Sequence, residues 1–139
     1  MNMHQVLNAT DVRRDFGQFI DNVTRVKPAV VKRNRDYFMS VSVPHMRILL
    51  KDNRFKMVFS VEKDGTVSGS LDGLGIVANA ENPEALRVLL SKYMIEYAED
   101  YMNDFEVFYN APNRRAHFPF VLYTLLQDDL DGVVNLIDV

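Results

Sequence analysis

One stripe of apolar side chains constrains this chain more than any other feature. Leu86, Leu89, Leu90, Tyr93, Met94, Tyr97 and Tyr101 recur at helical spacing, which puts all seven on one face of a helix running to about Met102. Asn82, Pro83 and Glu84 open that helix with a cap, a proline at the first helical position and an acid in the first turn. So long an apolar face needs a second layer to lie on. The preceding residues supply one. Phe55, Met57, Phe59 and Val61 alternate with Lys56, Val58, Ser60 and Glu62. Lys63, Asp64 and Gly65 read as a hairpin turn, and runs 66–71 and 75–80 complete a small antiparallel meander. Beyond the helix, 105–109 fits strand or helix, 118–127 suits a short helix, and the apolar tail 133–139 suits a last strand.

The first third of the chain has a different pattern. Run 4–7 suits a short strand. Asn8 caps a helix with Asp11 in its first turn, and Val12, Phe16, Phe19, Ile20 and Val23 follow at helical spacing. This predicts one amphipathic helix of about four turns that stops before Pro28. Runs 29–32 and 37–43 are rich in β-branched and aromatic residues, with Arg33, Asn34, Arg35 and Asp36 between them. They predict a hairpin with a basic tip, Asn34 being suited to a left-handed turn position. Tyr37, Met39, Val41 and Val43 alternate with Phe38, Ser40 and Ser42, which predicts one buried face. Pro44 then opens a short helix. With 139 residues there is room for one sizeable core or two small ones. The charged stretch 51–56 marks a boundary, giving an expected domain 1–53 and a second, 54–139, in an α+β fold.

Charge divides the chain at nearly the same place. Residues 1–56 hold eleven Lys and Arg against five Asp, a net +6; residues 57–139 hold five against fourteen acids, a net −9. A basic front suits a polyanion and an acidic rear suits a basic protein. With no cysteine, disulfides, thiolate zinc sites, iron–sulfur clusters and cysteine nucleophiles are excluded. The start has no basic region leading into a long apolar run, and no run is long enough to span a membrane, so the expectation is a soluble, cytosolic protein.

Nothing in the residue pattern argues for catalysis, a metal or a cofactor. Gly65, Gly69, Gly73 and Gly75 cluster, but no Lys-Ser/Thr follows and the segment leads into a strand, so turns explain them better than a phosphate loop. His4, His45 and His117 lack companions at metal spacing, and Asp128, Asp129 and Asp131 lack the loop of a calcium site. Glu96, Asp100 and Asp104 lie four apart on one helix face with Glu99 nearby, either simply solvated or offered to a basic partner. In the front half, Arg13 and Arg14 lie close to Asn8 and Thr10 at a helix start, and Arg33 and Arg35 add a second basic point. Free N–H groups and arginines are what phosphate and guanine require.

The ordered set VLNATDVRRDFGQFIDNV, then PAVVKRNRDYFMSVSVPHMRILL, resembles the Phd/YefM family of bacterial antitoxins over about residues 6–50. The resemblance implies a strand–helix–hairpin–helix module that dimerises, binds operator DNA and represses its own operon, followed by a part that neutralises a co-encoded toxin. Carried over by position, DNA contacts fall on Asn8, Thr10, Arg13 and Arg14, with Arg33 and Arg35 as phosphate contacts; Phe16, Ile20, Val23 and Val41 serve core and dimer interface. Two features depart from the family. Residues 55–139 have the apolar content of a folded domain rather than a short tail, and the hairpin turn lacks the usual glycine. The expected toxin-binding residues are Glu96, Tyr97, Glu99, Asp100, Asp104 and Phe118. Two other readings stay open: an orphan transcriptional regulator without a toxin, and a small ligand-binding domain or enzyme using the 65–75 segment and the tyrosine row.

Overall fold

A computed structural model describes residues 5–139, and they form two compact units, one ending at Leu49 and the other spanning Leu50–Val139. His4, part of the first expected strand, lies outside the described residues.

The first unit is a three-stranded sheet carrying two short helices. Strand β1 (Val6–Asn8) runs parallel to β2 (Ala29–Arg33), which pairs antiparallel with the edge strand β3 (Asp36–Ser40). The expected single helix is in fact two, α1 (Ala9–Arg14) and α2 (Phe16–Arg25). The break falls at Asp15, whose backbone leaves the helical region (φ −141°, ψ 74°) while its carboxylate accepts the Gln18 N–H at 3.2 Å. A short acidic side chain can cap a new helix as readily as continue an old one, and Asp15 does the former. Phe19 and Val23 thereby pack on Val31, whereas Phe16 and Ile20 from the same stripe stay 56% and 45% exposed.

Asn34 takes the left-handed conformation expected of it (φ 55°), and Arg33 pairs with Asp36 across a two-residue turn. The buried face expected of the second hairpin strand is absent. Tyr37, Phe38 and Met39 are 41%, 54% and 57% exposed, because β3 is an edge strand and no described element of this unit buries it. Helix α3 (Val43–Leu50) follows, with Ile48 and Leu49 also exposed.

The second unit is built on β4 (Phe55–Val61), β5 (Val67–Leu71), β6 (Ile76–Ala80) and the long helix α4 (Pro83–Asn103). Asn82 caps α4 by accepting the Ala85 N–H at 2.8 Å, and Pro83 takes the first turn, where its missing N–H costs nothing. Leu86, Leu90, Met94 and Tyr101 from the stripe, joined by Ala98, are fully buried against Phe55, Met57, Val67 and Leu71. Gly69 permits that closeness. A Cβ there would stand 2.6 Å from the Val58 carbonyl oxygen and 2.8 Å from the Leu86 side chain.

Residues 105–109, ambiguous in sequence, form helix α5 (Phe105–Asn110), and a 3₁₀ turn (Arg115–His117) leads into α6 (Phe118–Leu125). The tail is not one strand. It folds as α7 (Leu130–Val134), capped by Asp129, and then a two-residue strand β7 (Ile137–Asp138), parallel to β4. The sheet is therefore four-stranded, in the order β6-β5-β4-β7. Arg54 closes this last pairing. It donates to both Asp138 carboxylate oxygens at 2.9 Å and to the Asn135 carbonyl at 2.7 Å, and its charge and hydrogen bonds hold the Asp138 carboxyl below its usual range.

Candidate nucleic-acid and protein interfaces

In the first unit, strand pairing brings two of the four arginines singled out above, Arg33 and Arg35, to the end of the sheet where α1 starts. Asn8 ends β1 and lies opposite Lys32 in the β1–β2 register, so the start of α1 and the hairpin tip occupy the same end of the sheet. The Asn8 side chain accepts the Thr10 N–H at 2.8 Å, which fixes the first turn of α1. Arg33 and Arg35 project from the tip with no ion-pair partner among the described residues. Lys32, which the sequence reading passed over, belongs to the same end; its ammonium lies 5.5 Å from the Tyr37 ring centroid. The signal for it was the unbroken Lys32-Arg33-Asn34-Arg35 run.

Arg13 and Arg14 are placed differently, in the last turn of α1. Arg14 is shared with Asp11 at 3.5 Å, an exposed pair that contributes little to stability and yields readily to a phosphate. Arg13 borders an apolar groove formed by Val12, Phe16, Val31 and Phe38. The groove and the exposed Tyr37 and Met39 make the apolar surface of this unit unusually open for so small a body.

In the second unit, Glu96, Glu99, Asp100 and Asp104 are all exposed along α4 and its C-terminal end. Tyr93 and Met102 are exposed on the same helix, and Val107 on the next. Tyr97 and Phe118 are not surface residues of that kind. Both belong to an aromatic cluster around the fully buried Tyr101, whose hydroxyl donates to the Arg114 carbonyl at 2.8 Å. Tyr97 stands edge-on to Tyr101, Phe108 and His117, and Phe118 packs on Tyr101, Phe105 and Tyr109.

The glycine cluster and the tyrosine row meet at one point only. Gly65 turns the β4–β5 hairpin and Gly69 faces the core, whereas Gly73 and Gly75 form the β5–β6 turn and border a cleft with Tyr97, Arg114 and His117. No group of acids and histidines able to hold a metal occurs among the described residues, nor any helix long and apolar enough to cross a membrane.

Comparison with known proteins points to an antitoxin. No curated protein matches the chain. A crystal structure from Syntrophomonas wolfei subsp. wolfei, described as an antitoxin part of a proposed toxin/antitoxin system, superposes with a TM-score of 0.92 at 41% identity, covering 96% of both chains. The model of a PHD-like family, described as the antitoxin of RelE/RelB toxin–antitoxin systems, matches residues 3–139. With nearly its whole length matched, this chain belongs to that PHD-like antitoxin family.

Proposed function

We propose that this antitoxin pairs through its first unit, reads operator DNA with the basic end of that unit, and holds its toxin with the acidic face of α4. The observation that carries the DNA reading is the β1–β2 register. It brings the capped start of α1 and the Lys32–Arg35 tip to one end of one sheet, beside an apolar surface that a second copy would cover. A dimer then offers two such ends, the arrangement that two half-sites require. The order of strand, broken helix, hairpin and helix in this unit is also what supports a place in the Phd/YefM subfamily.

Division of labour follows from charge. Measured at the boundary between the units, residues 1–49 carry +4 and residues 50–139 carry −7. An RNA-cleaving toxin is basic where it holds RNA, and Glu96, Glu99, Asp100 and Asp104 offer that surface a complementary field. Exposed Tyr93, Met102 and Val107 add apolar contact, while Tyr97 and Phe118 act from behind by fixing the surface they underlie.

Binding to DNA from the chain's own promoter, followed by fluorescence anisotropy, tests the reading. Arg33→Ala with Arg35→Ala, and separately Arg13→Ala with Arg14→Ala, should each weaken binding; any arginine that reads a base contributes on the order of 1–3 kcal/mol. Affinity should fall steeply with salt, and Lys92→Ala should change nothing. If both double variants bind like the wild type, the basic end is not the DNA site. The toxin half is tested by co-expression with the neighbouring gene product: a Glu96→Lys, Asp100→Lys variant that still rescues growth fully would remove the acidic face from the account.

A further inference from the structure

The cleft between the β5–β6 turn and the loop before α6 has a feature that DNA binding and toxin capture leave unused. Its volume is about 420 Å³, within the range of small-ligand sites. One wall is the turn containing Gly73 and Gly75, both left-handed (φ 77° and 70°), where a Cβ would meet nothing within 4 Å. The other wall is Asn113, also left-handed (φ 64°), and Arg114. The floor is His117 and Tyr97, joined by a 2.6 Å hydrogen bond between the Tyr97 hydroxyl and His117 Nδ1. Burial lowers the His117 pKa below its ordinary 6.5, which disfavours a positive charge on this floor.

Two adjacent arginines stand here, and they differ. Arg115 spends its donors on its own fold: Nη2 donates to Asn110 Oδ1 at 2.9 Å, Nε to the Tyr109 carbonyl at 3.3 Å, and the guanidinium lies 4.4 Å from the Tyr109 ring centroid. Arg114 has its backbone fixed by the Tyr101 hydroxyl, and its guanidinium lies 5.5 and 5.2 Å from the Tyr97 and Phe108 ring centroids. Among the described residues it has no carboxylate partner, although this unit carries fifteen acids against eight bases. A guanidinium propped on two rings and engaged on one side by the Tyr97 hydroxyl still has donors of its fork to offer, and such donors bind an oxyanion.

We propose that this cleft is a binding site for an oxyanion, a phosphate or carboxylate group of a small ligand, held by the Arg114 guanidinium against the Gly73, Gly75 and Asn113 walls. The hydrogen-bonded His117–Tyr97 pair closes the floor of the cleft. The site is independent of the DNA and toxin reading and stands or falls without it.

The test is a heteronuclear NMR titration of the full-length protein with sodium phosphate, sodium acetate and, at matched ionic strength, sodium chloride. Phosphate or acetate should shift the Gly73, Gly75 and Asn113 amide signals and the Arg114 Nε–H signal saturably, at roughly millimolar concentration for so few heavy atoms. The anion that saturates first assigns the site to phosphate or to carboxylate. Arg114→Gln should weaken that response about tenfold or more, and Arg114→Lys should restore part of it. Unchanged signals from Leu86, Leu90 and Met94 establish that the variants fold. Equal shifts with chloride, no saturation with either oxyanion, or an undiminished response in folded Arg114→Gln would each overturn the proposal.

Discussion

The two units solve the problem of burying apolar surface in opposite ways. The second buries fourteen apolar residues in one continuous core, from Phe55 on β4 to Ile137 on β7, and rings its centre with aromatic side chains. Among its described residues the first gathers Phe19, Val23 and Val31 into its cluster, while Phe16, Ile20, Tyr37, Phe38 and Met39 remain exposed. About fifty residues bury too small a fraction of their surface to be comfortable alone. On the proposed reading, what looks like poor folding is an interface awaiting its other half. The difference is what motivates the proposed division: a self-sufficient body is suited to present a fixed surface to a toxin, and an open one to be completed by a second copy.

Hydrogen exchange gives the largest contrast. Amides of β4, β5 and α4 should be protected to the full stability of their unit at every protein concentration. Amides of β2 and α2 should exchange faster, and about threefold faster again on tenfold dilution, the square-root dependence of a dimer that unfolds on dissociation. Equal protection in both units at all concentrations would erase the contrast.

Within the second unit the comparison sharpens at Tyr101. Its ring is fully buried among Tyr97, Phe105, Phe108 and Phe118. Tyr101→Ala should cost about 3–5 kcal/mol in denaturant unfolding, by lost burial and a cavity. Tyr101→Phe should cost about 1–2 kcal/mol, by leaving the Arg114 carbonyl without its donor. If both cost the same, the hydroxyl rather than the packing dominates there.

The smallest effect is one of pH. Burial pushes the His117 imidazole below its ordinary value of 6.5, so below that pH the unfolded chain binds the proton more readily than the folded one. The stability contributed by neutral His117 is therefore complete above 6.5 and is lost as pH falls through and below it. Melting temperatures from pH 7.5 to 5 should fall more in the wild type than in His117→Asn. A parallel decline would place the sensitivity on other groups.

Much of this contrast was legible in the sequence, and the exceptions have physical causes. The stripe from Leu86 to Tyr101 and the Asn82–Pro83 start express local rules that packing then reinforces, whereas the alternation in β4 buries only Phe55 and Met57 and leaves Phe59 and Val61 exposed. In the first unit, periodicity over residues 12–23 hid the break, because Asp15 can serve as a second cap without disturbing the spacing. Alternation in the hairpin predicted a buried face, but alternation reports only that two faces differ; what covers one of them can be another molecule. Site residues were legible as charges and illegible as neighbours. The meeting of Asn8 with Lys32 depends on a parallel register between strands more than twenty residues apart. Likewise the 105–109 helix and the split tail are too short for periodicity to decide.

Sedimentation velocity on the full-length protein across low to high micromolar concentration tests the central claim most directly, with Phe38→Asp measured alongside. The account predicts a dimer for the wild type, and for Phe38→Asp a monomer whose second unit keeps its thermal transition. A wild type that sediments as a monomer throughout this range would contradict it.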